Sequence, residues 1–348
     1  MSLPSESETP LSAPVVRQAL DWRSAGHQVA LATVARTWGS SPCPAGSQLC
    51  VRDDQAFEGS VSGGCIEGEV VTEALARIRD GGATTLDFGI ANADAWQAGL
   101  ACGGKVSVFV TAVDDASAAV LDALETARAT ETPSALLTDP ATGAMALWSG
   151  GAVTHGELSL SATQAEELAG RFATDKSGMI GDDEERPLFA RIYNPHLRLM
   201  IVGAVHIAQS LAEMAARIGY DVTVIDPRDT WSTDERFPGV KLDRRWPSTA
   251  LEDLQPDTRT AIVTLSHDPK LDDPALHAAF ESPAFYIGCL GSKKTHAARL
   301  HRLREAGISE DQIARIHAPV GLDIGAQNPA EIALAALAQI TQALRRPA

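Results

Sequence analysis

At 348 residues the chain exceeds what one hydrophobic core organises, since single cores stop growing at roughly 250–300 residues, so two domains are expected. Hydrophobic residues make up 45% and charged residues 21%, which excludes a disordered chain, and a formal charge of −16 argues against nucleic acid and anionic membrane surfaces as partners. Five cysteines, an odd number in a long chain, point to a reducing compartment; no run approaches the ~18 apolar residues of a membrane span, so a cytoplasmic location is expected.

Residues 1–14 carry Ser, Pro, Glu and Thr without a basic start or an apolar run, and read as a frayed tail rather than a signal peptide. Residues 15–115 read as an N-terminal α/β domain with a mixed sheet. Residues 29–36, 48–51 and 57–61 look like strands, separated by turns at Gly39, Gly46 and Gly59. Between Cys65 and Arg79, Ile66, Val70, Val71, Ala74, Leu75 and Ile78 recur at spacings of three to four, which predicts a helix ended by Gly81-Gly82. Residues 105–111 alternate apolar and polar side chains as a half-buried strand does.

Residues 116–194 form an intermediate region with no legible chemistry. A helix is expected at 118–128, short strands near Leu136 and Ala146, a polar helix at 160–172, an acidic linker or hairpin at 175–186, and a strand at 188–193. The domain boundary falls near Asn194-Pro195. From 195 to 348 strands and helices alternate: 197–202, 206–218, 221–225, 260–265, 284–287 and 293–306, with a last helix opening at Asn328-Pro329. That rhythm predicts a Rossmann-like, doubly wound parallel sheet.

Two places carry chemistry. In Gly59-Ser60-Val61-Ser62-Gly63-Gly64-Cys65-Ile66-Glu67 a strand gives way to a helix through three glycines, two serines and a cysteine. Such a turn lets backbone N–H groups converge, and the positive helix end favours an anion, or a thiolate at an accessible Cys65. The plainer alternative is a tight turn holding a small buried cysteine. A similar element, Cys102-Gly103-Gly104, precedes the strand at 105, and two such loops bracketing one helix point to a shared site.

In the C-terminal half Gly203 lies between a strand and a helix, and Asp226 follows the next strand 23 residues later, near the ~20 of a ribose-binding carboxylate. Val205 replaces the second fingerprint glycine and obstructs close approach of a pyrophosphate. His206 faces either a phosphate or solvent, and Arg228 is either a phosphate partner or a surface arginine. No C-x-x-C pair supports zinc and no G-x-S-x-G elbow supports serine hydrolysis.

At these residues the chain resembles the XdhC/CoxI family, the xanthine dehydrogenase accessory factors. The matching pieces are Gly39-Ser40-Ser41-Pro42 with Pro44-Ala45-Gly46, the 59–67 loop, Cys102-Gly103-Gly104, Gly203 to Ala208, Asp226-Pro227-Arg228, Leu265-Ser266-His267-Asp268, Ile287-Gly288-Cys289-Leu290-Gly291-Ser292-Lys293-Lys294, and Pro319 to Gly325. The resemblance implies a homodimeric, non-catalytic carrier of the molybdenum cofactor (molybdopterin). Such a carrier keeps its cofactor for sulfuration by a cysteine desulfurase and delivers it to a xanthine dehydrogenase-type molybdoenzyme.

By the same resemblance Cys65 and Cys102 lie nearest the cofactor, either one in reach of the molybdenum. Ser62, Gly63 and Gly64 act as donors, Glu67 orients the helix end, and Gly103 and Gly104 belong to the same cofactor-binding set. In the C-terminal domain Gly203, His206, Asp226, Arg228, His267, Asp268, Gly288, Gly291, Ser292 and Lys293 line the cofactor side, with Gly288 to Lys293 as a phosphate turn and loop capping as the alternative role of His267 and Asp268. Two departures stand out: Val205, and Cys43 where the family often has arginine. A rival reading is an NAD(P)-dependent oxidoreductase using the Rossmann domain, and a third is a scaffold without a ligand.

Overall fold

The computed structural model describes residues 15–39, 41–89 and 104–346, which form two compact units divided between Pro195 and His196. The N-terminal unit begins with α1 (Val15–Ser24), β1 (Val29–Trp38), β2 (Gln48–Arg52), β3 (Phe57–Gly59), α2 (Glu67–Asp80), β4 (Ala83–Phe88) and β5 (Lys105–Ala112). Its described strands are ordered β3-β2-β1-β5-β4, and every pairing is antiparallel. The expected mixed sheet is thus corrected: residues 53–56 turn the chain straight back from β2 to β3, and the nine residues between β1 and β2 are too few for the dozen or so that a parallel crossover needs. Gly59 ends β3 where a side chain has no room, since a Cβ there would come 2.3 Å from the Gln48 carbonyl oxygen.

Residues 116–194 belong to the same unit. They contribute most of α3 (Asp115–Ala129), then β6 (Ser134–Thr138), β7 (Met145–Ser149), β8 (Ala152–Gly156), α4 (Ala162–Thr174), β9 (Gly178–Ile180) and β10 (Leu188–Tyr193). Asp114 caps α3 through the Ser117 N–H, and a capping box of Ser161 and Gln164 starts α4. The strands form a second antiparallel sheet, ordered β8-β7-β6-β10-β9. Leu31 and Cys50 of the first sheet share one core with Leu121 and Leu124 of α3 and Leu136 and Leu147 of the second. On the other face of the first sheet Val34, Leu49, Val108 and Val110 bury Ile66, Val70 and Ala74, so the start of α2 is anchored against β1 and β5.

The C-terminal unit contains β11 (Leu197–Val202), α5 (His206–Arg217), β12 (Tyr220–Ile225), β13 (Lys241–Asp243), α6 (Pro247–Leu254), β14 (Thr260–Thr264), α7 (Pro269–Phe280), β15 (Tyr286–Cys289), α8 (Lys293–Glu305), α9 (Glu310–Ala314), β16 (Ile316–His317) and α10 (Pro329–Arg345). The described strands pair in parallel in the order β13-β12-β11-β14-β15-β16. This is a doubly wound Rossmann sheet. Leu211, Ala215, Ala336 and Ile340 of α5 and α10 cover one face against Leu199, Ile201, Val224 and Val263. Leu251, Leu276, Ala279 and Leu303 of α6, α7 and α8 cover the other against Met200, Val202, Ile262 and Ile287. Burial on both faces explains the nearly continuous apolar run of β11. The strand order reverses between β11 and β14, so the loops leaving these strands flank the crevice where open α/β sheets bind ligands. Among the described residues no helix is long and apolar enough to cross a membrane.

Candidate functional site

In the N-terminal unit the loop between β3 and α2 folds around Glu67, the first residue of α2. One carboxylate oxygen of Glu67 accepts from the Ser60 hydroxyl (2.7 Å), the Val61 N–H (3.2 Å) and the Ser62 N–H (2.9 Å). The other accepts from the Ser62 hydroxyl, the Gly64 N–H (2.9 Å) and the Ile66 N–H (3.2 Å). Ser62 Oγ in turn accepts from the N–H groups of Cys65 and Ile66, and Ser60 Oγ from that of Gly63. Glu67 is only 8% exposed. Burial opposes its charge, but the hydroxyls of Ser62 and Ser60 and the Ser62 N–H outweigh it and hold the carboxyl at about 2.

The donors expected to face a cofactor therefore point at the chain's own carboxylate: the Ser62 and Gly64 groups are bonded to Glu67, and the Gly63 N–H to Ser60. Glu67, expected to orient the helix end, also fills the nest with its bonds. The positive helix end expected to favour a thiolate at Cys65 is met by this carboxylate. Cys65 is the exposed cysteine among the described ones; Cys43 is half-buried, and Cys50 and Cys289 are buried. Burial pushes the Cys50 thiol up to about 12 and that of Cys289 to about 11, so neither is a nucleophile at neutral pH.

Gly39 and residues 41–46 meet the same end of the sheet. Cys43 Sγ lies 3.8 Å from Ser60 Oγ. A Cβ on Gly63 would lie 3.6 Å from Pro42, and one on Gly39 would lie 3.5 Å from the Gly104 Cα. Gly39, Pro42 and Cys43, the 59–67 loop and Gly104 thus converge, while Cys102 and Gly103 lie outside the described residues.

In the C-terminal unit Gly203 (φ +105°) ends β11, and a Cβ there would come within 2.8 Å of the Ser266 backbone nitrogen. Glycine is needed for this close passage of the loops after β11 and β14. Asp226, beyond β12, is fully buried. Its carboxylate accepts from the Ala204 N–H (2.7 Å), the Arg228 N–H (3.0 Å) and the Arg228 guanidinium (2.6 and 2.8 Å). Burial opposes the charge, but Arg228 and the Ala204 N–H hold the carboxyl below its ordinary range. The Asp226 oxygens, expected to bond a ribose hydroxyl, are occupied within the loop and closed to solvent. Arg228 is bound to Asp226 and stacks on Trp231 at 4.7 Å.

The remaining predicted residues divide. His206 is exposed at the start of α5 beside Gln209 (3.1 Å). His267 is exposed with a left-handed backbone (φ +59°), and Asp268 caps α7 by accepting from the Lys270 N–H. Gly291, Ser292 and Lys293 open α8, with Ser292 capping Thr295. Gly288 does not belong to that turn. It lies inside β15, where a Cβ would come 2.7 Å from the Tyr286 ring and 2.8 Å from Val320, so it is a packing position.

The comparisons with known proteins follow the same division into two parts. A model described as "XdhC and CoxI family" matches residues 22–89, and one described as "XdhC Rossmann domain" matches residues 199–340. The molybdenum cofactor insertion chaperone PaoD of Escherichia coli K12 is 30% identical over 329 residues, covering 94% of this chain and 86% of that protein. The chain belongs to the XdhC and CoxI family. A probable xanthine dehydrogenase subunit of Bacillus subtilis is 26% identical over 333 residues, 92% of this chain and 94% of that one. The crystal structure of a xanthine dehydrogenase (BH1974) from Bacillus halodurans shares the fold of this XdhC-family chain, with a TM-score of 0.75, 23% identity and 96% of each chain covered.

One polar pair in the XdhC-type Rossmann unit is not foreshadowed by any motif. Arg299 and Asp272 are each 2% exposed and lie 3.6 Å apart. Asp272 accepts from the Ser266 hydroxyl (2.6 Å), and Arg299 donates to the Leu290 carbonyl (2.9 Å), so the pair ties the loop after β14 to the loop after β15. Burial pushes the Asp272 carboxyl up. The one signal in the sequence is the placement of Arg299 four residues before Leu303, on the inward stripe of α8. No cluster of three or more His, Cys, Asp or Glu suited to a metal ion exists among the described residues.

Proposed function

We propose that this chain is a chaperone for the molybdenum cofactor. It binds molybdopterin, keeps it available for sulfuration by a cysteine desulfurase, and hands it to a xanthine dehydrogenase-type molybdoenzyme, acting as a cytoplasmic homodimer. The observation that carries this reading is the exposed Cys65 thiol at the tip of a loop held rigid from within. Thiolates are soft ligands suited to a metal centre that is to be released again, and a carrier needs one reversible bond more than it needs a sealed cage. The similarity to PaoD, itself a molybdenum cofactor insertion chaperone, supports the same reading. Cys43, beside Ser60, is a second thiol at this end of the sheet, and Cys102 with Gly103 and Gly104 is assigned to the same site. In the Rossmann unit, taken by itself, the start of α8 at Gly291, Ser292 and Lys293 is assigned to an anionic ligand, and His206 and His267 are assigned to the same role.

Two observations weigh against the oxidoreductase reading: Asp226 is committed to Arg228 and Ala204, and Val205 stands where a dinucleotide needs glycine. The test is to purify the chain from cells that make molybdenum cofactor, release and oxidise bound pterin, and read its fluorescence. Retained pterin is expected, falling about tenfold or more in Cys65→Ala, since losing a ligand costs at least what losing an outer-shell partner of a ligand costs. A pterin-free preparation that binds NADH tightly overturns the proposal.

A further inference from the structure

We propose that Glu67 is the positioning residue of the thiol loop: its carboxylate closes the donor nest to outside anions and fixes Cys65 in place, so the loop meets its cargo through the thiol alone. The inference rests on the reading of Cys65 as the cargo ligand. Six donors from residues 60–66, each with one hydrogen to give, converge on one carboxylate, and the N–H groups of Gly63 and Cys65 go to Ser60 and Ser62, so every donor of the loop is already committed and none is left for an anionic guest. Charge-assisted bonds of this kind are about twice as strong as neutral ones, and an external phosphate would have to displace a tethered anion already in place.

The link to the thiol is direct. Glu67 holds the Ser62 hydroxyl, and Ser62 Oγ accepts from the Cys65 N–H at 3.0 Å and the Ile66 N–H at 3.1 Å, so the backbone on both sides of Cys65 Cα is tied to Glu67 through one hydroxyl. Gly63 and Gly64 take φ of +78° and +115°, and a Cβ on Gly64 would meet nothing within 4 Å. Glycine at 64 is therefore required by the backbone path that wraps the carboxylate and not by a guest pressed against it. The carboxylate stays charged throughout the neutral range and sets a negative potential around the sulfur.

The experiment alkylates the full-length, cofactor-free chain with iodoacetamide, which is neutral, and with iodoacetate, which is anionic, and follows Cys65 by peptide mass mapping. In Glu67→Gln the ratio of iodoacetate to iodoacetamide rate at Cys65 is expected to rise about threefold or more at low salt and to fall back at high salt. A merely structural role for Glu67 loosens the loop and speeds both reagents alike, so an unchanged ratio overturns the proposal. Inorganic phosphate is the probe of the nest: it is expected to raise the melting temperature of Glu67→Ala and not that of the parent, and equal stabilisation of both overturns the closed nest. Should neither variant fold, Glu67→Asp keeps the charge but shortens its reach. Inorganic phosphate is then expected to raise the melting temperature of Glu67→Asp and not that of the parent, because the shorter side chain frees part of the donors, and an equal response of both overturns the proposal. None of these readouts needs pterin, so they separate from the chaperone reading, which fails alone if pterin is absent.

Discussion

The loop before α2 and the loop after β11 are both glycine-bearing strand-to-helix turns, and in both a carboxylate of the chain itself sits where an outside anion was expected. They differ in how that carboxylate is neutralised. Glu67 is held by hydroxyls and N–H groups alone, while Asp226 is gripped by the Arg228 guanidinium with two added N–H groups. Neutral donors leave the charge in place and its influence reaches Cys65. An ion pair cancels the charge, and what remains at the Rossmann edge is a rigid clasp. The same sequence signal, glycine at a helix start, thus accompanies a charged carboxylate beside a thiol in one unit and an ion-paired clasp in the other.

Removing the acid from the clasp gives the largest expected effect. Asp226→Ala strands the Arg228 guanidinium and the Ala204 N–H. Breaking a buried pair costs about 3–5 kcal/mol, and because Arg228 is 34% exposed and turns partly to water, a loss of about 2–3 kcal/mol is expected. Urea melts of the parent and variant measure it. A loss below about 0.5 kcal/mol, the level of an ordinary surface substitution, would remove the distinction between the clasp and the charged carboxylate of Glu67.

Acid separates the two carboxylates next. A carboxyl held at about 2 against an ordinary 4.5 contributes stability that is fully present above the ordinary value and drains away as pH falls toward about 2. The parent is expected to lose melting temperature across that window, and Glu67→Gln, which cannot titrate, to lose less over the same range, so the gap between them narrows with acid. Melting curves in a pH series check this; a gap that stays constant from neutral pH to about 2 rejects the buried, charged Glu67.

These differences show how far the residues speak for themselves. Strands with clean patterns, such as β1, β5 and β11, and the helix α2 with its stripe of Val70 and Ala74, were legible because periodicity records which face is buried. Helix α7 was not: Pro269 at its first turn, Pro274 inside it and the Asp272-Asp273 pair read as turn residues, and only packing of Leu276 and Ala279 under the sheet overrides them. β4 was missed because its side chains are half-buried or exposed along the whole strand. At the site, the glycines and serines announced converging donors, but a run of donors is silent about which acceptor they meet. That acceptor was Glu67, three residues beyond Gly64, and Asp226 repeated the lesson in the Rossmann unit. Gly288 misled for a related reason: a glycine near a turn and a glycine under an aromatic ring look alike until Tyr286 and Val320 are placed beside it.

The smallest expected effect tests whether the clasp alone keeps a dinucleotide out. Val205 is the N-cap of α5 and makes no side-chain cap bond, and glycine is a better cap residue than valine, so Val205→Gly is expected to change stability by only about a few tenths of a kcal/mol. It restores the glycine that a pyrophosphate needs at the helix start. If Val205 were the sole obstacle, NADH would bind the variant, seen as a rise in nicotinamide fluorescence on titration. The expected outcome is no binding, because the ribose carboxylate is still locked: Asp226 keeps both oxygens on Ala204 and Arg228 whatever residue stands at 205. Binding in Val205→Gly would mean that Arg228 lets go of Asp226 at a cost a dinucleotide recovers, and the Rossmann edge would then be a gated nucleotide site rather than a lock.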